Sequence, residues 1–288
     1  MMISRRAALH LPLLAAPILL VEARARAEET TGWVSGLHSR VRLVAGGLQE
    51  GGPKRLAGIA FELDAGFKTY WRSPGESGLP SAFDWAGSEN LAAAEVLWPA
   101  PSRFEDQGGV AYGYKERVLL PVRIAPNDAA QPVRVRLKLD YGVCREICIP
   151  ASASLALKLG REASAAHRAA IEKALAKVPK AQPLGAASDL AILGLEPKAA
   201  AGKPSIEVLV RAPQDATLFV EAPESWYLAA GPMEHAPADK AAGDGRFAVE
   251  ILERPRDPPG VLDLRLTLVA GERAVETSAS LDTARLPR

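Results

Sequence analysis

The stretch Val133–Pro150, VRVRLKLDYGVCREICIP, decides the fold. In its first half Val133, Val135, Leu137, Leu139 and Tyr141 alternate with Arg134, Arg136, Lys138 and Asp140. A period of two sends the apolar set to one face and the charged set to the other, which is a strand of an antiparallel sheet with one dry face. The second half carries the only two cysteines of the chain, Cys144 and Cys148. On one straight strand, residues four apart lie roughly 13 Å apart, whereas a disulfide needs Cα atoms within about 7 Å. The sulfurs can meet only if the chain turns between them. Strand-like flanks predict a β-hairpin with Arg145, Glu146 and Ile147 at the turn, where facing residues lie about 5 Å apart. Pro150 argues against a helical turn.

Working outward, the segments VRLVAG, RLAGIAFELD, FKTYWRS, SAFDWAG, AAEVLWP, ERVLLPVRI and SLALKL have the same texture, separated by Gly, Pro, Ser and Asn clusters such as EGGP, SPGESGLP and APNDAAQP. About eight such strands between Gly32 and Leu159 predict a β-sandwich of immunoglobulin-like type. Tyr70, Trp71, Trp85 and Trp98 lie in or beside these strands and are expected in the core. SPGESGLP reads as a turn rather than a binding loop.

The texture then changes. SAAHRAAIEKALAKVPK sets Ile171, Ala174, Leu175 and Val178 on one helical stripe behind Ser164 as N-cap, and Pro179 and Pro183 close it. This predicts a linker helix packed between domains. The segments SIEVLVRAP, ATLFVEAP, RFAVEILE and VLDLRLTLVAG return to alternation. The expected organisation is all-β: residues 1–27 a signal peptide, 28–160 a sandwich bearing the cysteines, 161–186 a linker with a helix, and 187–288 a second, smaller sandwich. Glu224-Ser225-Trp226-Tyr227 in that last part is expected to pack in its core rather than dock a partner.

The signal-peptide expectation rests on Arg5 and Arg6, an apolar run from Ala7 to Val21, and the small-residue site Ala25-Arg26-Ala27. Ser4-Arg5-Arg6 points to the twin-arginine route. Cleavage after Ala27 takes Lys+Arg from 35 to 31 and Asp+Glu from 34 to 33, so the net charge moves from +1 to −2. Near-neutrality argues against a nucleic-acid partner. No later run approaches 18 apolar residues, so no stable membrane insertion is expected after cleavage. The 288 residues, 48% hydrophobic and 24% charged, suffice for two domains with buried cores. The implied compartment is oxidising, most simply a periplasm.

Three chemistries remain open for Cys144 and Cys148. As a staple, a five-residue loop gains only ~2 kcal/mol of loop entropy, against ~4.7 kcal/mol for a hundred-residue loop. A metal clip lacks ligands: the histidines after the signal segment, His38, His167 and His235, are scattered, and Met233 is the sole methionine there. A strained, accessible pair is the kind that exchanges. The arithmetic favours a redox couple that needs no cofactor and no metal. The competing reading is a non-catalytic periplasmic binding module with a structural disulfide.

YGVCREICIP, with TYWRSPGESGLPSAFDW, VLWPAPSRFED and YGYKERVLLPVRI in the same order, resembles the N-terminal periplasmic domain of the thiol:disulfide interchange protein DsbD family, and is closer still to its copper-sensitivity suppressor ScsB branch. The resemblance spans about Trp33 to Leu159. It implies an immunoglobulin-like thiol–disulfide oxidoreductase domain in which Cys144 and Cys148 pass electrons between a thioredoxin-like protein and periplasmic partners. It further implies a cap loop over the pair, here Phe104 to Tyr114, with Glu105 and Asp106 at acidic positions that raise a thiol pKa. Gln107 falls where the family's aromatic cap residue is expected, and Phe104 or Tyr112 are the residues that could substitute for it. The family's sandwich precedes a membrane domain that this sequence lacks, so a separate membrane electron donor or thioredoxin-like periplasmic protein is expected as partner. For the competing binding module, the resemblance implies a tie to copper tolerance or envelope stress.

Overall fold

The computed structural model describes residues 29–106, 109–200, 203–235 and 244–287; the side chains of Asp106, Ala200 and His235 also lie outside the description. The signal-peptide reading of residues 1–27 therefore falls outside the described residues. Eleven strands come first: β1 (Val34–Gly36), β2 (Ser39–Leu48), β3 (Arg55–Leu63), β4 (Lys68–Gly75), β5 (Ala82–Asp84), β6 (Leu91–Val96), β7 (Ser102–Asp106), β8 (Gly109–Lys115), β9 (Arg117–Pro126), β10 (Val133–Cys144) and β11 (Cys148–Leu159). They form two sheets, one in the order β1-β2-β3-β9-β6 and the other β11-β10-β4-β8-β7, with β5 also on β10.

The predicted alternation is what holds these sheets together. Leu137, Leu139, Tyr141 and Val143 point inward from β10 and meet Val41, Leu43, Ile59 and Phe61 from β2 and β3 in one buried core. Each such side chain contributes about 1.5–3 kcal/mol by leaving water. The immunoglobulin-like sandwich expected of this part is present.

A helix, α1 (Ala165–Leu175), follows with Ser164 as N-cap; its hydroxyl accepts from the His167 N–H at 3.3 Å. It does not pack between two domains as its amphipathic stripe suggested. Ile171 lies instead on the outer face of the first sheet, with Val44 and Leu56. Gly46 and Gly58 create the groove: a Cβ on Gly46 would stand 2.8 Å from Ile171 Cδ1, and one on Gly58 3.3 Å from Ile171 Cγ1. A stripe on a helix shows that one face is buried, not against what.

The remaining strands are β12 (Lys180–Ala181), β13 (Ala191–Ala200), β14 (Lys203–Arg211), β15 (Thr217–Glu221), β16 (Tyr227–His235), β17 (Asp244–Glu253), β18 (Val261–Ala270) and β19 (Arg273–Asp282). They make two further sheets, β12-β19-β18-β15 and β13-β14-β17-β16, around a separate core that includes Trp226, Leu218, Leu264 and Phe247. On β15 the side chains divide. Leu218 enters this second core, whereas Phe219 is 1% exposed and belongs to the core of the first sandwich. There it meets Trp71 edge-on at 5.7 Å and Tyr112 at 4.9 Å. Beside it Arg72 of β4 holds Glu221 of β15 through bonds of 2.6, 2.9 and 3.1 Å, and also bonds Glu276 of β19. Both faces of the β12-β19-β18-β15 sheet are thus used, one for its own core and one against the first sandwich.

Candidate functional site

Cys144 and Cys148 are paired residues in the register of β10 and β11, at the end of that ladder. Arg145, Glu146 and Ile147 form the turn, as the spacing demanded. Both cysteines are free thiols, with the sulfurs 2.8 Å apart. Their exposure differs: Cys144 is buried and Cys148 half-buried.

The strand period explains where they sit. Tyr141 and Val143 face the core, so Gly142 and Cys144 face the opposite side of the sheet. Cys144 pairs with Lys68 on β4, and Lys68 with Lys115 on β8. Tyr70, two residues along β4, shares this outer face. Its hydroxyl lies 2.8 Å from Cys148 Sγ. Tyr70, Ala111 and Cys144 form a small buried cluster with Leu79 and Cys148 against it, separate from the main core. Gly142 is required here, because a Cβ would stand 2.8 Å from the Tyr70 ring and 2.9 Å from Leu79 Cβ.

Burial pushes the Cys144 thiol up, and its hydrogen bond with Cys148 adds to that; the Tyr70 hydroxyl and the Lys68 ammonium pull it back down. Burial, and then bonding to both sulfurs, raises the Tyr70 phenol far above its ordinary range. Burial thus favours the protonated phenol, whose O–H can donate to a sulfur that carries negative charge.

The residues expected to form a cap divide. The segment Phe104 to Tyr114 is not a loop: β7 and β8 form a hairpin, with Phe104 opposite Ala111 and Asp106 opposite Gly109. Gln107 and Gly108, at its tip, lie outside the described residues, as does the Asp106 side chain. Phe104 shares the face of Ala111 and of the cysteines, its ring beneath the ammonium groups of Lys68 at 5.6 Å and Lys115 at 5.1 Å. Tyr112 points the other way, onto Phe219. The Glu105 carboxylate is exposed and pairs with Arg103. Among the described residues, the influences on Cys144 are burial, Cys148, Tyr70 and Lys68.

Two contributors were missed. Tyr70 was expected in the main core, yet Tyr70 and Trp71 are neighbours on one strand and must face opposite ways. That alternation was the available signal. The other is the segment Ser73–Leu79, read as a plain turn: the Cys148 thiol donates to the Ser77 carbonyl at 3.6 Å, and Leu79 packs on the dithiol cluster. Among the described residues no three His, Cys, Asp or Glu side chains gather as metal ligands, and no helix is long and apolar enough to cross a membrane.

A hairpin dithiol on the outer face of an immunoglobulin-like sandwich, beside a buried phenol, defines a thiol–disulfide interchange domain. Residues 49–159, within the first sandwich, match the family described as thiol:disulfide interchange protein DsbD, N-terminal. The crystal structure of the N-terminal periplasmic domain of ScsB from Proteus mirabilis is similar with a TM-score of 0.68 at 21% identity, covering 88% of this chain and 98% of that one. With that coverage the shared fold extends past residue 159 into the second pair of sheets. No curated protein matches the chain by sequence.

Proposed function

We propose that this protein is a periplasmic thiol–disulfide exchange module that passes electrons between a redox donor and partner proteins through Cys144 and Cys148. The observation that carries this is the pairing of the two thiols across a hairpin end, with the Tyr70 hydroxyl 2.8 Å from the more exposed sulfur. Residues 28–160 form the exchanging unit, 161–186 the linker and 187–288 the second sandwich; residues 1–27 direct export, by the twin-arginine route.

Cys148, being half-buried, is the thiol that meets a partner. Its thiolate attacks one sulfur of the partner's disulfide, and the partner's other sulfur leaves as a thiolate and takes up a proton. The buried Cys144, losing its proton, then attacks Cys148 Sγ in the mixed disulfide. The products are a Cys144–Cys148 disulfide and a partner dithiol, so two electrons pass to the partner. The same steps in reverse recharge the pair from a thioredoxin-like periplasmic protein or a separate membrane donor. Tyr70 donates to the sulfur that carries charge at each stage.

The test uses glutathione disulfide and mass spectrometry. Cys144→Ala should accumulate a stable glutathione adduct on Cys148, while Cys148→Ala reacts much more slowly because its remaining thiol is buried. Absence of an adduct on either variant would leave the pair a structural bridge in a binding module.

A further inference from the structure

The second sandwich contains no cysteine, yet it is joined to the segment that lies over Cys148. That segment, Ser73–Leu79, has three anchors. At its end it touches the thiols: Ser77 O accepts from Cys148 at 3.6 Å, and Leu79 packs on the Tyr70–Cys144 cluster. In its middle the Glu76 N–H donates to Val110 O at 2.8 Å, and the Val110 N–H donates to the Glu76 carboxylate at 3.4 Å. Where it begins, Arg72 is held by Glu221 and Glu276 of the second sandwich.

The third anchor differs in kind from the others. The Arg72 side chain is 19% exposed, Glu221 18% and Glu276 23%, so the triad is largely withdrawn from water. Arg72 also stacks on Trp71, whose ring meets Phe219 from the second sandwich. The contacts are charge-assisted, and bidentate towards Glu221, a geometry that fixes direction as well as distance. A crevice of about 180 Å³ separates Ser73, Gly75 and Glu76 on one side from Val220, Trp226 and Leu228 on the other, so the root of the segment is tied to the second sandwich by the Arg72 contacts rather than by continuous packing. Gly75, at φ +82°, and Gly78, where a Cβ would stand 2.3 Å from Pro74 Cβ, let the segment fold this tightly.

We infer that Arg72, held by Glu221 and Glu276, is a positioning residue that keeps Ser73–Leu79 closed over Cys148, so that the second sandwich controls access to the exchanging thiol. The cover is then set from outside the redox sandwich. A partner that loosened the contact between the sandwiches would open the site without touching the cysteines. The consequence for electron transfer rests on the reading of Cys148 as the exchanging thiol; the control of access does not.

The experiment is alkylation of the reduced full chain by iodoacetamide, followed by mass spectrometry at Cys148. Glu221→Gln combined with Glu276→Gln keeps side-chain shape and removes both charges. It should accelerate alkylation at least about fivefold, and the rate should not depend on urea below the unfolding transition, because the opening is local. Arg72→Lys, which keeps a cation at the root, should stay nearer to the unaltered rate than the double variant. If the double variant fails to fold, Glu221→Gln alone should give an acceleration of about twofold or more, again independent of urea. An unchanged rate in a folded variant overturns the inference, and so does an acceleration that grows with urea, which would report global unfolding. Alkylation reads access alone. A protein gated in this way but with a reduction potential outside the exchanging range would keep this inference and lose the exchange reading.

Discussion

Tyr70 and Cys148, 78 residues apart in the chain, meet with the phenol oxygen 2.8 Å from the sulfur. The Tyr70 side chain is 1% exposed but lies outside the main core, on the far face of its sheet. A buried phenol needs a partner for its hydroxyl, and here the partners are the two thiols. The contact links the sandwich scaffold directly to a reacting atom.

Tyr70→Phe keeps the ring and removes the donor. A hydrogen bond to a charged sulfur is worth roughly 1.5–3 kcal/mol, so the second-order rate with glutathione disulfide should fall about tenfold or more. Thermal stability should change much less. Stopped-flow measurement on the reduced protein decides it; an unchanged rate would remove Tyr70 from the account.

Gly142→Ala introduces a methyl group where the Tyr70 ring and Leu79 already stand at 2.8 and 2.9 Å. Overpacking of this kind costs about 1–3 kcal/mol. The urea midpoint should fall accordingly, and Cys148 should alkylate faster because Leu79 and Tyr70 are displaced. A variant as stable and as closed as the parent would show that this face is loosely packed.

Phe219→Ala empties a position that belongs to the core of the other sandwich. Phe-to-Ala changes in a core cost about 3–5 kcal/mol. The loss should appear in the unfolding of the first sandwich, followed by Trp71 and Trp98 fluorescence, although residue 219 lies outside it. Destabilisation confined to the second sandwich would contradict the shared core.

The reduced protein should lose stability at alkaline pH relative to the oxidised form. Burial first, and Cys148 second, hold the Cys144 thiol above its ordinary value. A thiol raised on folding favours the protonated form, so its contribution is complete below the unfolded value of about 8.5 and is lost as the pH rises through the folded value. Oxidised protein has no such thiol. The difference between the two urea midpoints should therefore shift against the reduced form above about pH 8.5; a constant difference would count against it.

Local periodicity carried the parts of this fold that alternate. Val133 to Tyr141 predicted β10 and its inward face, and the distance a disulfide can span predicted the hairpin at Arg145–Ile147. The β7–β8 hairpin was invisible because its strands are short and Gly108-Gly109 reads as loop. The destination of α1 was invisible because it depends on Gly46 and Gly58, which are more than a hundred residues away and signal nothing in a helical stripe. Of the expected site, Cys144, Cys148 and Phe104 share one face. Tyr112 faces Phe219, and Glu105 pairs with Arg103. Alternation along β4 could have turned Tyr70 or Trp71 away from the core, but the meeting of Tyr70 and Ser77 with Cys148 emerges only when β4 is folded against β10.

Whether Cys144 and Cys148 exchange or brace is read from their reduction potential in the purified protein, equilibrated in glutathione buffers. An exchanging pair should give a value above about −300 mV. A bond that stays closed well below that value would contradict exchange and leave the pair a structural link.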